Sequence, residues 1–342
     1  MGRTAGYGAY AARRLGYGVV LVVGITLVAF VLTHLVPSNP ALVYAGLHPN
    51  PAQIARARQI LGLDKPLYMQ YLLFLRGLAT GAWGISITTH GSVFQNVMTF
   101  LPPTLELVFF ATLESMVLGV LLGVWASERP DGVADVAVRV LGAGLVSMPA
   151  FWLALLLQIV FFGQLHLLPL TGEYGGAYVL TARTITGFPL LDAALSHQWG
   201  LVGDELRHLV LPSLALAAYS IGLVARMTRA TMLDALGTDY IRLAVANGVR
   251  RRRIYFRYAL KNAIAPTLTV LGLTFAYSLT GDFFVEQIFF WNGLGSYSVH
   301  AIDNLDIAAV MGVLVVVSLA YTVVNLAVDL IRALFDPRLL VE

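Results

Sequence analysis

The sequence contains no cysteine, only two lysines and few charged residues of either sign. Without cysteine there is no thiol catalysis, no disulfide bond and no cysteine-ligated metal site. Only 12% of the 342 residues are charged and 58% are hydrophobic, whereas soluble domains are about 25% charged and 45–50% apolar. A single soluble core cannot bury this much apolar surface. The composition therefore predicts an integral membrane protein.

The short supply of lysine also bears on nucleotide binding. A phosphate-binding P-loop requires G-x-x-x-x-G-K-[ST], and neither Lys65 nor Lys261 follows a glycine. We therefore expect the chain to bind no cofactor and to have no ATPase site of its own. None of the seven histidines precedes a glutamate, which excludes an H-E-x-x-H zinc site. An intramembrane enzyme is the remotest alternative, and no metal site is expected.

Six apolar stretches are long enough, or nearly so, to form membrane-spanning helices, each of which needs about 20 residues. They cover residues 15–36, 104–126, 138–162, 209–224, 266–290 and 307–331. Pro149 is expected to kink the third of them. The sequence thus predicts an all-α membrane bundle of six spans, and the absence of a linker favours a single domain over residues 1–342.

The distribution of Lys and Arg predicts the orientation of these spans. With the N-terminus in the cytoplasm, 78 residues lie inside and carry 16 Lys/Arg, whereas 127 residues lie outside and carry six. Positive residues accumulate on the cytoplasmic side of membrane proteins. Both termini are therefore predicted to be cytoplasmic.

The outer segment 37–101 carries signals for short helices. Asn50 with Gln53, and Ser92 with Gln95, have the spacing of a capping box. The prolines Pro102-Pro103 are expected to end the helix that starts after Ser92. These helices are interpreted as a cap over the bundle, with a docking surface for a partner as the second interpretation.

The inner segment 226–265 is the most informative part of the sequence. Forty residues are long for a simple connection, and helix-forming runs alternate there with single glycines. Thr238 or Asp239 is predicted to cap a short helix that runs to Ala246, and Gly248 is predicted to end it in a left-handed conformation.

This segment resembles the cytoplasmic EAA loop of ABC importer permeases, in the form found in oligopeptide, dipeptide and nickel permeases. That form reads M-L-x-x-L-x-x-D-Y-[IV]-R-x-A-x-A-K-G and then H-A-L-R-N-A-x-x-P. The chain departs from it at Asn247, where Lys is usual, and at Tyr258, where His is usual. The matching residues are Met232, Leu233, Leu236, Asp239, Tyr240, Ile241, Arg242, Ala244, Ala246, Gly248, Ala259, Leu260, Asn262, Ala263 and Pro266.

Further motifs extend the resemblance over nearly the whole chain. They are Gly62-Leu63-Asp64-Lys65-Pro66-Leu67-Tyr68, then Leu101-Pro102-Pro103-Thr104-Leu105-Glu106-Leu107, then Val285-Glu286-Gln287-Ile288-Phe289 followed by Gly293-Leu294-Gly295. The resemblance implies a type I ABC importer permease in the prokaryotic cell membrane. Its substrate would be a dipeptide, an oligopeptide, a nickel chelate or an oligosaccharide.

The partners that the resemblance implies are a second, homologous but non-identical permease, two ABC ATPase subunits that bind ATP and Mg²⁺, an extracytoplasmic solute-binding protein and the lipid bilayer, but no nucleic acid. The residues implied in coupling to the ATPases are Asp239, Tyr240, Ile241, Arg242, Ala244, Ala246 and Gly248. An ion-coupled carrier or a channel is the alternative class, and such proteins typically lack the long glycine-punctuated inner loop.

Three acidic residues fall within the predicted spans, where ionisable groups are costly and often functional. Glu114 lies midway along the second span, either hydrogen-bonded between helices, for instance with Ser115, or lining the solute path. Asp282 and Glu286 are four residues apart on the fifth span and are expected to share a helix face. We consider all three as candidates for the translocation path.

Overall fold

The computed structural model describes residues 2–35, 40–46, 49–60, 62–176, 178, 184–281 and 283–335. All regular elements in these residues are helical. The N-terminal half contains α1 Gly2–Leu35, α2 Pro40–Ala45, α3 Pro51–Ile60, α4 Leu67–Thr80, α5 Val93–Ser127, α6 Val133–Ser147 and α7 Ala150–Leu157, which continues as a π-helical turn over Gln158–Gln164. The C-terminal half contains α8 Pro189–Leu195, α9 Trp199–Leu236, α10 Asp239–Ala246, α11 Arg251–Arg253, a second π-helical turn Ile254–Ala259, α12 Leu260–Gly281, α13 Phe283–Phe289, α14 Leu294–Asp303 and α15 Ile307–Phe335.

Four helical stretches in the described residues are long and apolar enough to cross a membrane. They are Val93–Ser127, Trp199–Leu236, Arg251–Leu279 and Ile307–Val328. A bent pair, Val133–Ser147 with Ala150–Gln164, makes a fifth if it counts as one span. Within α1, the apolar stretch Gly16–Val31 falls short of the length of a span. The chain is thus an integral membrane protein whose described residues are helical and include four to five apolar spans.

The bent pair confirms the kink predicted at Pro149. The axes of its two halves differ by 108°, and Pro149 is extended, with φ −61° and ψ 134°, as the N-cap of α7. Proline lacks an amide hydrogen and its ring collides with the preceding turn, so the helix cannot continue through it in a straight line.

The prolines that precede the second predicted span behave differently. Helix α5 continues through Pro102 and Pro103, so the prediction that they end a helix was wrong. Both prolines are buried, and the indole of Trp291 donates a 3.1 Å hydrogen bond to the carbonyl oxygen of Pro103. Packing against neighbouring helices allows a membrane helix to continue through proline.

The two predicted capping boxes also differ. The backbone amide of Asn50 donates to Oε1 of Gln53, and the amide of Gln53 donates to Oδ1 of Asn50, both at 2.8 Å. Ser92 occupies the N-cap of α5 but makes no side-chain capping bond. The box at Asn50 is therefore confirmed, and the box at Ser92 was predicted wrongly.

Helix α9 forms the centre of the bundle. In its apolar window 78% of the residues are buried, compared with 33–44% in the other three long helices. Its closest partner is α5, where a Cβ atom at Gly123 would lie 2.7 Å from the carbonyl oxygen of Ala225. The fourth predicted span, 209–224, lies inside this longer helix. One continuous helix therefore connects the residues before this predicted span with those after it.

Candidate functional site

The segment 226–265, predicted to lie on the inner side, folds around helix α10. Thr238 is the N-cap in an extended conformation, and its hydroxyl donates back to the carbonyl oxygen of Ala235 at 2.6 Å. The carboxylate of Asp239 pairs with Arg242 at 3.3 Å on the exposed surface. Neither side chain caps the helix, so the predicted side-chain cap was wrong. Asp239 still lies in the first turn, where a negative charge is favourable.

One face of α10 is anchored in the protein. Ile241 and Ala244 are 4% and 8% exposed. They belong to a buried cluster that also contains Met232 of α9, together with Ala259 and Ala263 from the start of the next long helical stretch. All five residues belong to the EAA-type motif. The small or apolar residues at these motif positions hold α10 against the two helices that flank the loop.

The C-terminal end of α10 is the turn predicted from the glycine. Gly248 has φ +72°. Its amide donates to the carbonyl oxygen of Val245 at 2.9 Å, and the amide of Val249 donates to that of Ala244 at 3.1 Å. These are the two bonds of a Schellman motif. The left-handed end predicted at Gly248 is confirmed.

The opposite face of α10 is exposed and largely apolar. Tyr240, Leu243 and Val245 are 39%, 64% and 59% exposed, and Arg242 and Ala246 are exposed beside them. The side-chain amide of Asn262 donates to the hydroxyl of Tyr240 at 2.7 Å. A short helix fixed on one face and apolar on the other is suited to binding a partner protein.

The acidic residues proposed for the path lie in different surroundings. Glu114 accepts a 2.8 Å hydrogen bond from Ser213 of α9, so its partner is not Ser115. Glu286 is 4% exposed and accepts hydrogen bonds from the Thr104 hydroxyl at 2.6 Å and the Ser296 amide at 2.9 Å. It also lines a cavity of about 320 Å³. Asp282 lies outside the described residues.

A second cavity was not foreseen from the sequence. Its volume is about 800 Å³, and three carboxyl groups line it, those of Glu173, Asp192 and Glu205. A signal was present, because the predicted outer segment 163–207 contains four acidic residues and only two arginines.

Two of these carboxyl groups lie in the loop region outside the long helices. Burial raises the pKa of Glu173 from 4.5 to about 7, although a hydrogen bond from the Asn292 amide opposes the rise. Burial also acts on Asp192, but hydrogen bonds from Thr186, Ile185 and Gly187 outweigh it and hold the pKa of Asp192 below its ordinary value. The wall of the cavity therefore contains carboxyl groups with opposite shifts.

Comparison with known proteins identifies the family. Residues 119–341 match the model of the binding-protein-dependent transport system inner membrane component, and residues 9–108 match that of the N-terminal part of such membrane components. The probable D,D-dipeptide transport system permease protein DdpB of Escherichia coli (strain K12) is 41% identical over 328 residues, 96% of each chain. The di/tripeptide transport system permease protein DppB of Pseudomonas aeruginosa (strain UCBPP-PA14) is 38% identical over 96% of this chain and 98% of that protein.

A third relative, the dipeptide transport system permease protein DppB of Alkalihalophilus pseudofirmus, is 35% identical over 97% of this chain and 99% of its own length. These full-length similarities agree with the apolar helices and with the inner loop built around α10. They indicate a role in transport and not in catalysis. The chain is a multi-pass protein of the prokaryotic plasma membrane, and it belongs to the family of binding-protein-dependent transport system inner membrane components.

Proposed function

We propose that this chain is the permease subunit of an ATP-driven importer of dipeptides and similar small peptides. In this proposal it adopts the type I importer fold, with six spans and both termini in the cytoplasm. It works with a second, related permease, an extracytoplasmic binding protein and two ATPase subunits that bind ATP and Mg²⁺. The observation that carries the proposal is α10, anchored through Ile241 and Ala244 and apolar on its outer face. The names of the relatives support peptides as the solute.

The anchoring of α10 suggests how work from the ATPases reaches the membrane. Its buried face contacts residues of α9 and of the start of α12 in one cluster, and α9 and α12 also pack against each other. A displacement of α10 by the ATPases would therefore move both helices as one body, because packed interfaces shift as units and do not deform gradually. The coupling residues would be Asp239, Tyr240, Ile241, Arg242, Ala244, Ala246 and Gly248. We retain Glu114, Asp282 and Glu286 as proposed residues of the path.

The experiment that tests this function is co-purification of the ATPase subunits with Leu243→Asp. Leu243 is 64% exposed on α10, and a carboxylate there would have to be desolvated in an apolar interface. We expect loss of the bound ATPases and of dipeptide uptake in reconstituted vesicles. Val133→Asp, at an 89% exposed valine that begins α6, is the matched control and should retain both. Normal ATPase binding and uptake by Leu243→Asp would refute the proposal.

A further inference from the structure

The 800 Å³ cavity is built from several elements that meet around one glutamate. It is lined by the first turns of α5, by the loop before α8, by α8 itself and by Leu201 and Glu205 of α9. Glu205 is 0% exposed. It lies in the outer part of α9, the helix whose inner end packs against α10. The cavity and the ATPase-facing loop are thus connected through one continuous helix.

The carboxyl groups around this cavity differ in whether they have partners. Glu173 accepts a 3.1 Å hydrogen bond from the amide of Asn292, and Glu106, which lies behind the wall, accepts one of 3.2 Å from the amide of Leu190. Asp192 accepts a 2.6 Å bond from the Thr186 hydroxyl. In contrast, neither carboxyl oxygen of Glu205 has a hydrogen-bond partner among the described residues. A buried carboxyl group without a partner is costly, and it calls for a donor that occupies the cavity.

The wall also includes two residues with freed backbone carbonyl groups and an apolar surface. Pro102 and Pro103 have no amide hydrogen, so the carbonyl groups of Met98 and Thr99 lose their usual helical donors, and both residues line the cavity. Aromatic rings complete the wall, those of Phe94, Phe100 and Tyr174. Aromatic faces attract cations, and a space of this size exceeds what a bare ion requires. The cavity therefore suits an organic cation, a molecule with a positively charged group and a partly apolar remainder.

We propose that Glu205 and its cavity form a subsite within the permease itself, which binds the ammonium group of the transported solute. This inference rests on the proposed function and adds a subsite to it. The ammonium group donates to the Glu205 carboxylate, the wall acceptors surround it, and the side chain of the solute lies against the aromatic rings. Occupation of the cavity then acts on α9 directly, at the opposite end from α10.

The test measures binding to the assembled complex of both permeases and both ATPases in nanodiscs, without the binding protein. The probe is L-alanyl-L-alanine amide, and N-acetyl-L-alanyl-L-alanine amide is its partner without an ammonium group, both titrated by saturation-transfer NMR. We expect only the first to bind. Glu205→Gln, an isosteric change, should weaken its binding about tenfold, as expected for the loss of a charge-assisted hydrogen bond. Glu173→Gln, which keeps an acceptor for Asn292, should weaken it severalfold. The control Glu128→Gln, at the exposed C-cap of α5, should bind as wild type.

Equal binding of the two probes, or unchanged binding by both Glu205→Gln and Glu173→Gln, would overturn the proposal. Arg183 lies outside the described residues, and a third variant tests whether its guanidinium is the partner of Glu205 in place of a ligand. If Arg183→Gln raises the affinity for the probe while Glu205→Gln leaves it unchanged, the subsite belongs to that arginine and the proposal fails. ATP-driven uptake of alanyl-alanine is measured separately. Its absence alongside intact probe discrimination would refute the proposed importer but not the subsite.

Discussion

The hydroxyl of Thr104 donates a 2.6 Å hydrogen bond to the carboxylate of Glu286, a residue 182 positions away in the chain. The same hydroxyl accepts a 2.7 Å bond from the amide of Leu294, and the amide of Ser296 donates to the other oxygen of Glu286. The carboxylate thus caps the first turn of α14. Gly295 leaves room for it, because a Cβ atom there would lie 2.9 Å from Oε2 of Glu286.

This arrangement predicts that Glu286→Ala destabilises the protein. The substitution would leave the Thr104 hydroxyl and the Ser296 amide without their acceptor in a buried site, at a cost of about 3 kcal/mol. We expect a clearly lower Tm for the complex in detergent. Asp303→Ala, at an exposed position on the same helix α14, should leave Tm near that of wild type. An unchanged Tm for Glu286→Ala would show that the capping bonds contribute little.

The end of α10 predicts a transport defect without a folding defect. Gly248 has φ +72°, and an added Cβ atom there would meet no other atom within 4 Å, so Gly248→Val acts through backbone strain of about 1–2 kcal/mol and not through a clash. We expect normal insertion but loss of uptake, measured in reconstituted vesicles, because the helix would be re-aimed. The control is Gly237→Val, since Gly237 has φ −75° in the ordinary helical region. Normal uptake by Gly248→Val at normal expression would contradict the coupling role of α10.

Glu173 predicts a specific pH dependence of stability. Its pKa is raised from 4.5 to about 7 by burial, so its ionisation costs more in the folded protein than in the unfolded chain. Its contribution to stability is therefore complete below pH 4.5 and is lost as the pH rises to about 7. Glu173→Gln should remove this loss of stability with rising pH. Above pH 7 the variant should therefore be more stable than wild type by roughly 3 kcal/mol. Thermal unfolding between pH 4.5 and 8 measures the difference, and the exposed Asp64→Asn is the control. Parallel pH profiles for wild type and Glu173→Gln would argue against a buried, strained carboxylate.

The orientation proposed from the positive charges predicts opposite labelling of two single cysteines. The chain has no cysteine of its own, so Thr80→Cys and Asn247→Cys, both at exposed positions, report their side of the membrane directly. In sealed, right-side-out cells an impermeant maleimide should label the first and not the second. Labelling of Asn247→Cys from outside would reverse the assigned topology.

Local patterns in the sequence were sufficient where a feature depends on neighbouring residues. The reciprocal bonds of Asn50 with Gln53 and the left-handed end at Gly248 both form within a few residues of the chain. The break at Pro149 is similarly local. The caps expected from Thr238, Asp239 and Ser92 did not form, although their residue types permit them. A capping residue type makes the bond possible, but competing partners such as the Ala235 carbonyl decide whether it is made.

By itself the sequence determined that the chain is a helical membrane protein. A composition of 58% hydrophobic and 12% charged residues requires a bilayer around the folded chain, and the apolar stretches have the length of spanning helices. Only the tertiary structure decided that α5 passes through Pro102 and Pro103, since that depends on the helices that bury them. The same holds for the two glutamates. Glu286 gains its partners from residues distant in sequence, whereas Glu205 is buried without one among the described residues. Hydropathy indicates which helices are apolar enough to lie in the bilayer. Helix packing decides which side chains meet inside the bundle. Those contacts determine whether a buried carboxyl group has a hydrogen-bond partner in the protein or is free to bind a ligand.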